Sequence, residues 1–351
     1  MDKKSELITD IFNCNGPFVF AYCGEPSSSE WLRARKGTVG GSDTPAVMGL
    51  HPYSTSMDVY IDKTTADTGE EMNEKMEWGL RHEPAMRKAF AEKVKRPVVS
   101  IPHILYANPL VDFPFDISEA ILHANVDAIV LGEDNCAEAV LELKTTSQWS
   151  ESWNPENQYP DWLDQDELRK MFPIEGKAPL WAWLQVQQNM LVTGLDMGYI
   201  ALLRGGNEFT WEPVLKHEPT HGFITEAANR FVKEHVRPRI PVQVAPQHPK
   251  SRDSIKTRFG EVASEEIADL SEEDALTWRR LEDLKERRKE IDGEIKTIEN
   301  SVYAKMGNAE FGVFPWQYGG YIRRKLVKTK GYWRPESESI RYYFSKKTLN
   351  K

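Results

Sequence analysis

Cysteine is scarce in this 351-residue sequence: Cys14, Cys23 and Cys136 show neither a CxxC spacing nor an even count. That excludes a disulfide framework and argues against a zinc site, leaving three reduced packing residues. No run of about 18 apolar residues occurs, so no segment reads as a membrane span. The N-terminal MDKKSELITDIFNCNG has too short an apolar stretch for a secretory signal, and a cytoplasmic protein is expected. Internal repeats and low-complexity tracts are lacking too. Positive charge is in deficit, the net charge being -9, which taken alone disfavours a nucleic-acid partner. The deficit is local, however. Residues 261–300 hold fourteen Asp/Glu against seven Lys/Arg, whereas residues 319–351 hold ten Lys/Arg against two Asp/Glu. In that tail the basic residues are interleaved with Tyr321, Tyr332, Trp333, Tyr342, Tyr343 and Phe344. A local basic patch binds phosphate whatever the sum over the chain.

The chain is long enough for one large core and an appendage, since single cores stop growing at about 250–300 residues. SSSEWLRARKG offers serine caps before a short helix. GTVGGSDTPAVMGL follows as a glycine-rich turn with exposed N–H groups, leading into a helix capped by Ser42 or Asp43. Residues 71–95 read as helical, with Pro84 kinking the run or opening its second part. Beyond Pro97 the pattern turns to strands. Ala128 to Leu131, a turn at Gly132 to Asn135, and Ala139 to Lys144 form a hairpin. Residues 148–179 are an irregular insertion rich in tryptophan and proline. LWAWLQVQQNMLVTG is a helix ended by Gly194, and MGYIALLRGGNEFTWEPV is a second hairpin turning at Gly205–Gly206. Leu281, Leu284, Ile291, Ile295, Ile298 and Val302 recur at three- and four-residue steps, interrupted by Arg288, and predict a long amphipathic helix or a helical hairpin. The resulting division is a main domain at 1–240, a linker at 241–263, a coiled-coil-like arm at 264–310 and a basic, aromatic β tail at 311–351.

The stretch AVLELKTTSQW places Glu142 and Lys144 on one face of a strand whose other residues are apolar, because side chains alternate with a period of two. On its own this is as compatible with a surface ion pair as with a site. The hairpin adds Asp127, fifteen residues before Glu142, and two carboxylates and a lysine then converge. Carboxylates are hard oxygen ligands suited to Mg²⁺, which takes one or two of them together with water and phosphate oxygens. Such a set serves phosphodiester hydrolysis, with Lys144 positioning or deprotonating the attacking water or stabilising the transition state. Serine and cysteine nucleophile schemes find no comparable set. Trp31 and Trp78 read as core residues, and His82 and His123, which flank the acids, as structural ones.

Asp127 followed by Glu142-Leu143-Lys144 resembles the PD-(D/E)XK nuclease signature, with Val126 in place of its loosely kept proline. In order along the chain, WLRARKGTVGGSDTPAVMGLHPYSTSMDVYIDK, WGLRHEPAMRKAF, VDAIV…LELKT and LQVQQNMLVTG resemble successive motifs of the YqaJ-like recombinase family, to which the lambda-type phage exonuclease is related. The resemblance covers about residues 29–210. It implies an α/β restriction-endonuclease-like core, a central mixed sheet flanked by helices, here followed by the helical arm and small β tail. It implies Asp127 and Glu142 as principal Mg²⁺ ligands (with Mn²⁺ as a substitute), the Leu143 carbonyl as a further ligand, Glu83 near a second metal, and Lys144 acting on the water. Gln185 would hold that lysine or the water, Gln187 and Gln188 competing for the role. Arg35 and Ser42 would grip the 5′ phosphate of a DNA end, which a guanidinium and a serine at a helix start suit chemically. Bland alternatives are a first-turn acid for Glu83 and a solvated helix residue for Arg35.

The implied activity is 5′-to-3′ digestion of linear double-stranded DNA, leaving 3′ single strands for recombination by annealing. Its setting would be phage or prophage in a bacterial cytoplasm, with a single-strand annealing protein as partner, a ring trimer as assembly, and no membrane. Two alternatives stay open. One is a RecB/Cas4-like nuclease of other polarity, whose usual four-cysteine cluster finds no match here. The other is an inactive DNA-end-binding scaffold, which predicts decay at Asp127, Glu142 or Lys144 where none is seen.

Overall fold

The structure of the protein is a computed structural model, which describes residues 8–12, 16–24, 28–65, 74–259, 269–315, 317–329 and 337–345. The chain divides into two compact units, residues 1–262 and 263–351.

The first unit begins with β1 (Val19–Ala21), the short helix α1 (Ser29–Ala34) and β2 (Val39–Gly40). After them come α2 (Thr44–Val47), α3 (Ser56–Thr64) and the long α4 (Glu74–Val94). A strand-rich stretch follows: β3 (Val98–Val99), β4 (Ile104–Ala107), β5 (Leu122–Ala124), β6 (Ala128–Leu131) and β7 (Ala137–Thr146). Helices α5 (Gln165–Met171) and α6 (Leu180–Thr193) lead to β8 (Met197–Arg204) and β9 (Glu208–Leu215), and α7 (Glu218–Arg230) and α8 (Ser251–Phe259) close the unit.

Two sheets result. The larger has the order β3-β6-β7-β8-β9 and is mixed: β7 and β8 run parallel and the other pairs antiparallel. Parallel neighbours need a long crossover, and the insertion with α5 and α6 supplies it. The smaller sheet, β1-β4-β5-β2, adds a parallel β2–β5 pair. This is the expected α/β architecture with flanking helices, except that the described residues of the first unit form two sheets.

Strand alternation sorts the larger sheet's faces. Ala128, Val130, Ala139, Leu141, Leu143 and Ala201 pack with Met86 and Phe90 of α4. Ile129, Val140 and Ile200 belong to the other core, with Leu184, Val186 and Met190 of α6. The approach of α6 is close enough to require glycine: a Cβ on Gly198 would meet Val186 Cγ1 at 2.4 Å. Gly194 ends α6 in the left-handed region at φ 74, where a side chain is disfavoured.

Several local expectations change. Pro84 lies inside one continuous α4 and opens no second helix. Asp43 stands at the N-cap of α2, but neither it nor Ser42 supplies a side-chain cap. The Asp43 carboxylate instead accepts from Gly40 N at 2.9 Å and pairs with Lys63 at 2.6 Å. A buried ammonium competes more strongly for a carboxylate than one orphan amide of a four-residue helix. Trp78 is 51% exposed, not core, and stacks beside His82. Trp31 is partly buried against Ile104, Tyr106 and Ala120.

In the second unit α9 (Glu272–Met306) is a single 35-residue helix, opened by a reciprocal capping box of Ser271 and Asp274. Strands β10 (Phe311–Val313), β11 (Tyr321–Thr329) and β12 (Ser337–Ser345) form an antiparallel sheet, the expected β tail. Arg323 pairs with Glu310 at 2.9 Å and Arg324 donates to the Gly307 carbonyl at 2.9 Å, so two of the tail's basic residues are engaged within the unit. Tyr332 and Trp333, the side chains of Tyr342, Tyr343 and Phe344, and Cys14 lie outside the described residues.

Candidate active site

The antiparallel pairing of β6 with β7 sets Ala128 opposite Leu141, which carries Asp127 to the level of Glu142. Asp127 Oδ2 accepts from the Leu143 amide at 2.7 Å, tying the acid to the strand that bears the other two groups. Glu142 is 2% exposed. Its Oε1 accepts from Lys144 Nζ at 2.6 Å and from Gln185 Nε2 at 2.6 Å, and its Oε2 accepts from Asn189 Nδ2 at 3.2 Å. Lys144 Nζ also donates to Gln185 Oε1 at 2.9 Å. A buried carboxylate with a cation and two amide donors meets the requirement that buried charge be paired and hydrogen-bonded.

Among the three glutamines the structure separates the roles. Gln185 faces the acid and lysine. Gln187 donates to Leu215 O and accepts from His217 N, while Gln188 donates to the carbonyls of Val39 and His123. Asn189 was not singled out from the sequence. Its signal was present, because residues four apart share a helix face, and 189 is four beyond 185.

A cleft of about 820 Å³ meets this cluster at Asp127 and Leu143, its lining also including Arg35, Ser42 and Glu83. Glu83 lies 3.6 Å from Arg87, whose guanidinium also reaches the Asp127 carbonyl at 3.4 Å. Arg35 stacks over Trp31 with its guanidinium carbon 4.1 Å from the ring centre, and its Nε donates to His123 Nε2 at 3.1 Å. Accepting at Nε2 places the proton of neutral His123 on Nδ1, from which it donates to Thr38 Oγ1 at 2.8 Å. His123 is therefore the structural residue expected, and it aims Arg35. Gly41, in the turn before Ser42, lies where a Cβ would stand 2.9 Å from Asn189 Oδ1 and 3.1 Å from Gln185 Cγ. The turn thus rests directly on the site-bearing face of α6.

The electrostatics are those of crowded acids. Burial raises Asp127 well above the usual carboxylate range, and the Glu142 and Glu83 charges add to this. Burial likewise raises Glu83. Burial works against the Lys144 ammonium, but Glu142 and Asp127 outweigh it and the net shift is upward. Burial, then Lys63 and Arg35, depresses His123 well below the ordinary imidazole value.

Three carboxylates face two cations, Lys144 and Arg87, with burial disfavouring every uncompensated charge. By chemistry this hard-oxygen donor set fits a divalent cation such as Mg²⁺. As they stand, no three His, Cys, Asp or Glu side chains among the described residues are grouped to hold a metal ion. Glu142 would have to exchange part of its contacts with Lys144, Gln185 and Asn189 to act as a ligand.

Residues 30–196 match the YqaJ-like viral recombinase domain. The chain is 26% identical over 305 residues to the uncharacterized protein YqaJ of Bacillus subtilis strain 168, covering 84% of this chain and 83% of that one. Similar solved structures include an alkaline exonuclease from Laribacter hongkongensis, at 16% identity and TM-score 0.39, covering 59% of this chain and 92% of that one. A phage-related exonuclease from Haemophilus somnus 129PT is similar at 10% identity and TM-score 0.33, over 56% of this chain and 94% of that one.

Proposed function

From a chain whose residues 30–196 belong to the YqaJ-like viral recombinase family, we propose that the cleft is the active site of a Mg²⁺-dependent deoxyribonuclease. It would digest one strand of linear duplex DNA from a 5′ end, leaving a 3′ single strand for an annealing partner. The observation that carries this is the joining of Asp127 through the Leu143 amide to the strand bearing the bonded set Glu142, Lys144 and Gln185, with Asp127 and Leu143 lining a cleft that also presents Arg35 and Ser42. Residues 1–240 would carry the cleavage, 241–263 link, 264–310 form the arm and 311–351 the tail. The nuclease units would close into a ring trimer.

In this reading Asp127, Glu142 and the Leu143 carbonyl hold the metal, and Glu83 serves a second one. When bound, Mg²⁺ would supply positive charge against the negative charge building up on the phosphate oxygens. Lys144 has three N–H donors, of which Glu142 and Gln185 take two. In this reading the third serves the attacking water or the phosphate. Gln185 fixes the lysine's azimuth by bonding both partners of the pair. Arg35 uses Nε on His123, leaving its two terminal nitrogens to fork onto a terminal phosphate in the cleft that Ser42 also lines.

The test is digestion of linear duplex labelled at either end, with closed circular DNA as control. Mg²⁺-dependent release of the 5′ label from linear duplex supports the reading. A folded protein that binds ends and never cleaves them, with Mg²⁺ or Mn²⁺, refutes it in favour of an end-binding scaffold.

A further inference from the structure

We infer that α9 is an antiparallel self-association element, pairing two copies of this chain about a point between residues 289 and 290. The inference does not rest on the nuclease reading. Leu281, Leu284, Ile291, Ile295 and Ile298 are all exposed along the helix, as is Trp278. They occupy the core positions of a seven-residue repeat, a at Leu281, Arg288, Ile295 and Val302, d at Thr277, Leu284, Ile291 and Ile298. A stripe of this length on a helix of about 52 Å calls for a partner of the same period and length.

Charge decides which partner. In a parallel pair of copies, Arg288 would meet its own equivalent in the core. Flanking contacts would set Arg280 against Lys285 and Glu294 against Glu299, both repulsive, with only Arg287 against Asp292 favourable. An antiparallel pair centred between 289 and 290 reverses this. Its core layers would join Leu281 to Ile298 of the second copy, Leu284 to the partner's Ile295, and Thr277 to the partner's Val302. Arg288 would lie on the partner's Ile291, covering it with its methylenes while the head reaches Asp292 of its own helix, 3.8 Å away in the single chain. The flanks would pair Arg287 with the partner's Glu294 and Lys285 with the partner's Asp292, each occurring twice by symmetry. Sliding by one repeat either way destroys the match. One slide sets Glu294 and Asp292 each against its own copy, and the other does so with Arg287 and Lys285. Of the three antiparallel registers, one has opposite charges at every charged flank pair, and it is the one with the longest overlap of the apolar layers. The contact is isologous and closed, so each arm takes a single partner.

The experiment uses the full-length protein. Sedimentation across a concentration series should show association that Ile295→Asp abolishes or weakens at least tenfold. Glu294→Arg should weaken it, and adding Arg287→Glu to that variant should restore it, which a mere folding defect would not do. With the native cysteines replaced by serine, Leu284→Cys chains mixed with Ile295→Cys chains should form a disulfide-linked dimer on mild oxidation, and neither alone should. Cross-linking of each single variant to itself would establish a parallel pair and overturn the inference. So would a mass that Ile295→Asp leaves unchanged, whether that mass is one chain or a ring of the first unit.

Discussion

Replacing Lys144 by methionine removes the cation from a carboxylate that is 2% exposed while keeping most of the apolar stem. Breaking a fully buried pair by deleting one partner costs about 3–5 kcal/mol. Two features lower the figure here. Glu142 would keep its bonds from Gln185 and Asn189, and the lysine side chain is 20% exposed, so part of the field is already screened. A loss of about 2–3 kcal/mol is expected, read from urea unfolding in EDTA. Adding Glu142→Gln to Lys144→Met removes the stranded charge and should return most of that stability. Catalysis should behave differently. Single-turnover cleavage of linear duplex should fall by roughly 10²–10⁴ in Lys144→Met, and the double variant should stay inactive although it is stable. DNA affinity measured in Ca²⁺, which occupies oxygen sites, should change little for Lys144→Met. A Lys144→Met protein that is as stable as wild type would show the pair to be solvated. One that cleaves at the wild-type single-turnover rate would reduce it to a structural ion pair.

Linear duplex bearing a 5′ phosphate should be degraded faster than the same duplex with a 5′ hydroxyl, and Arg35→Ala should remove most of the difference; wild-type indifference to the end group would refute the phosphate role of Arg35 and Ser42. Removal of residues 319–351 should weaken DNA binding and lower the slope of log affinity against log salt by about one for each phosphate no longer neutralised, whereas an unchanged slope with a lower melting temperature would make the tail a packing element. Burial holds His221 down at about 4 against an ordinary 6.5, so the folded protein favours its neutral form. Stability from this group is complete above pH 6.5 and is lost as pH falls towards 4, by up to about 3 kcal/mol, because the unfolded chain takes up the proton first. His221→Leu should flatten that part of the stability profile, and an unaltered slope between pH 6.5 and 4 would show that the imidazole is not desolvated.

What could be read from the sequence was local or strictly periodic. The β6–β7 hairpin, the shared face of Glu142 and Lys144, the stop of α6 at Gly194 and the single period of α9 each follow from neighbours in the chain. The smaller sheet was illegible because its strands have two to four residues and pair across long separations, as Val19 does with Tyr106 and Val39 with Leu122. No periodicity survives in two residues. Asp43 misled for another reason. Its capping chemistry was sound, but Lys63 arrives from a different helix and takes the carboxylate. Trp78, which reads as core from the sequence, is exposed because the buried face of α4 is the one carrying Met86 and Phe90.

The seating of the glycine turn on α6 has a metrical consequence. A methyl group at Gly41 would crowd Asn189 and Gln185, so the turn carrying Ser42 is seated closely on the helix carrying the lysine's partner. On the proposed reading, the spacing between the grip on a strand's end and the bond to be broken is then a rigid gauge. Each cycle would release a fragment of one fixed size. A bulkier residue at position 41 would change that size, or blur it, before it changed the chemistry of cutting.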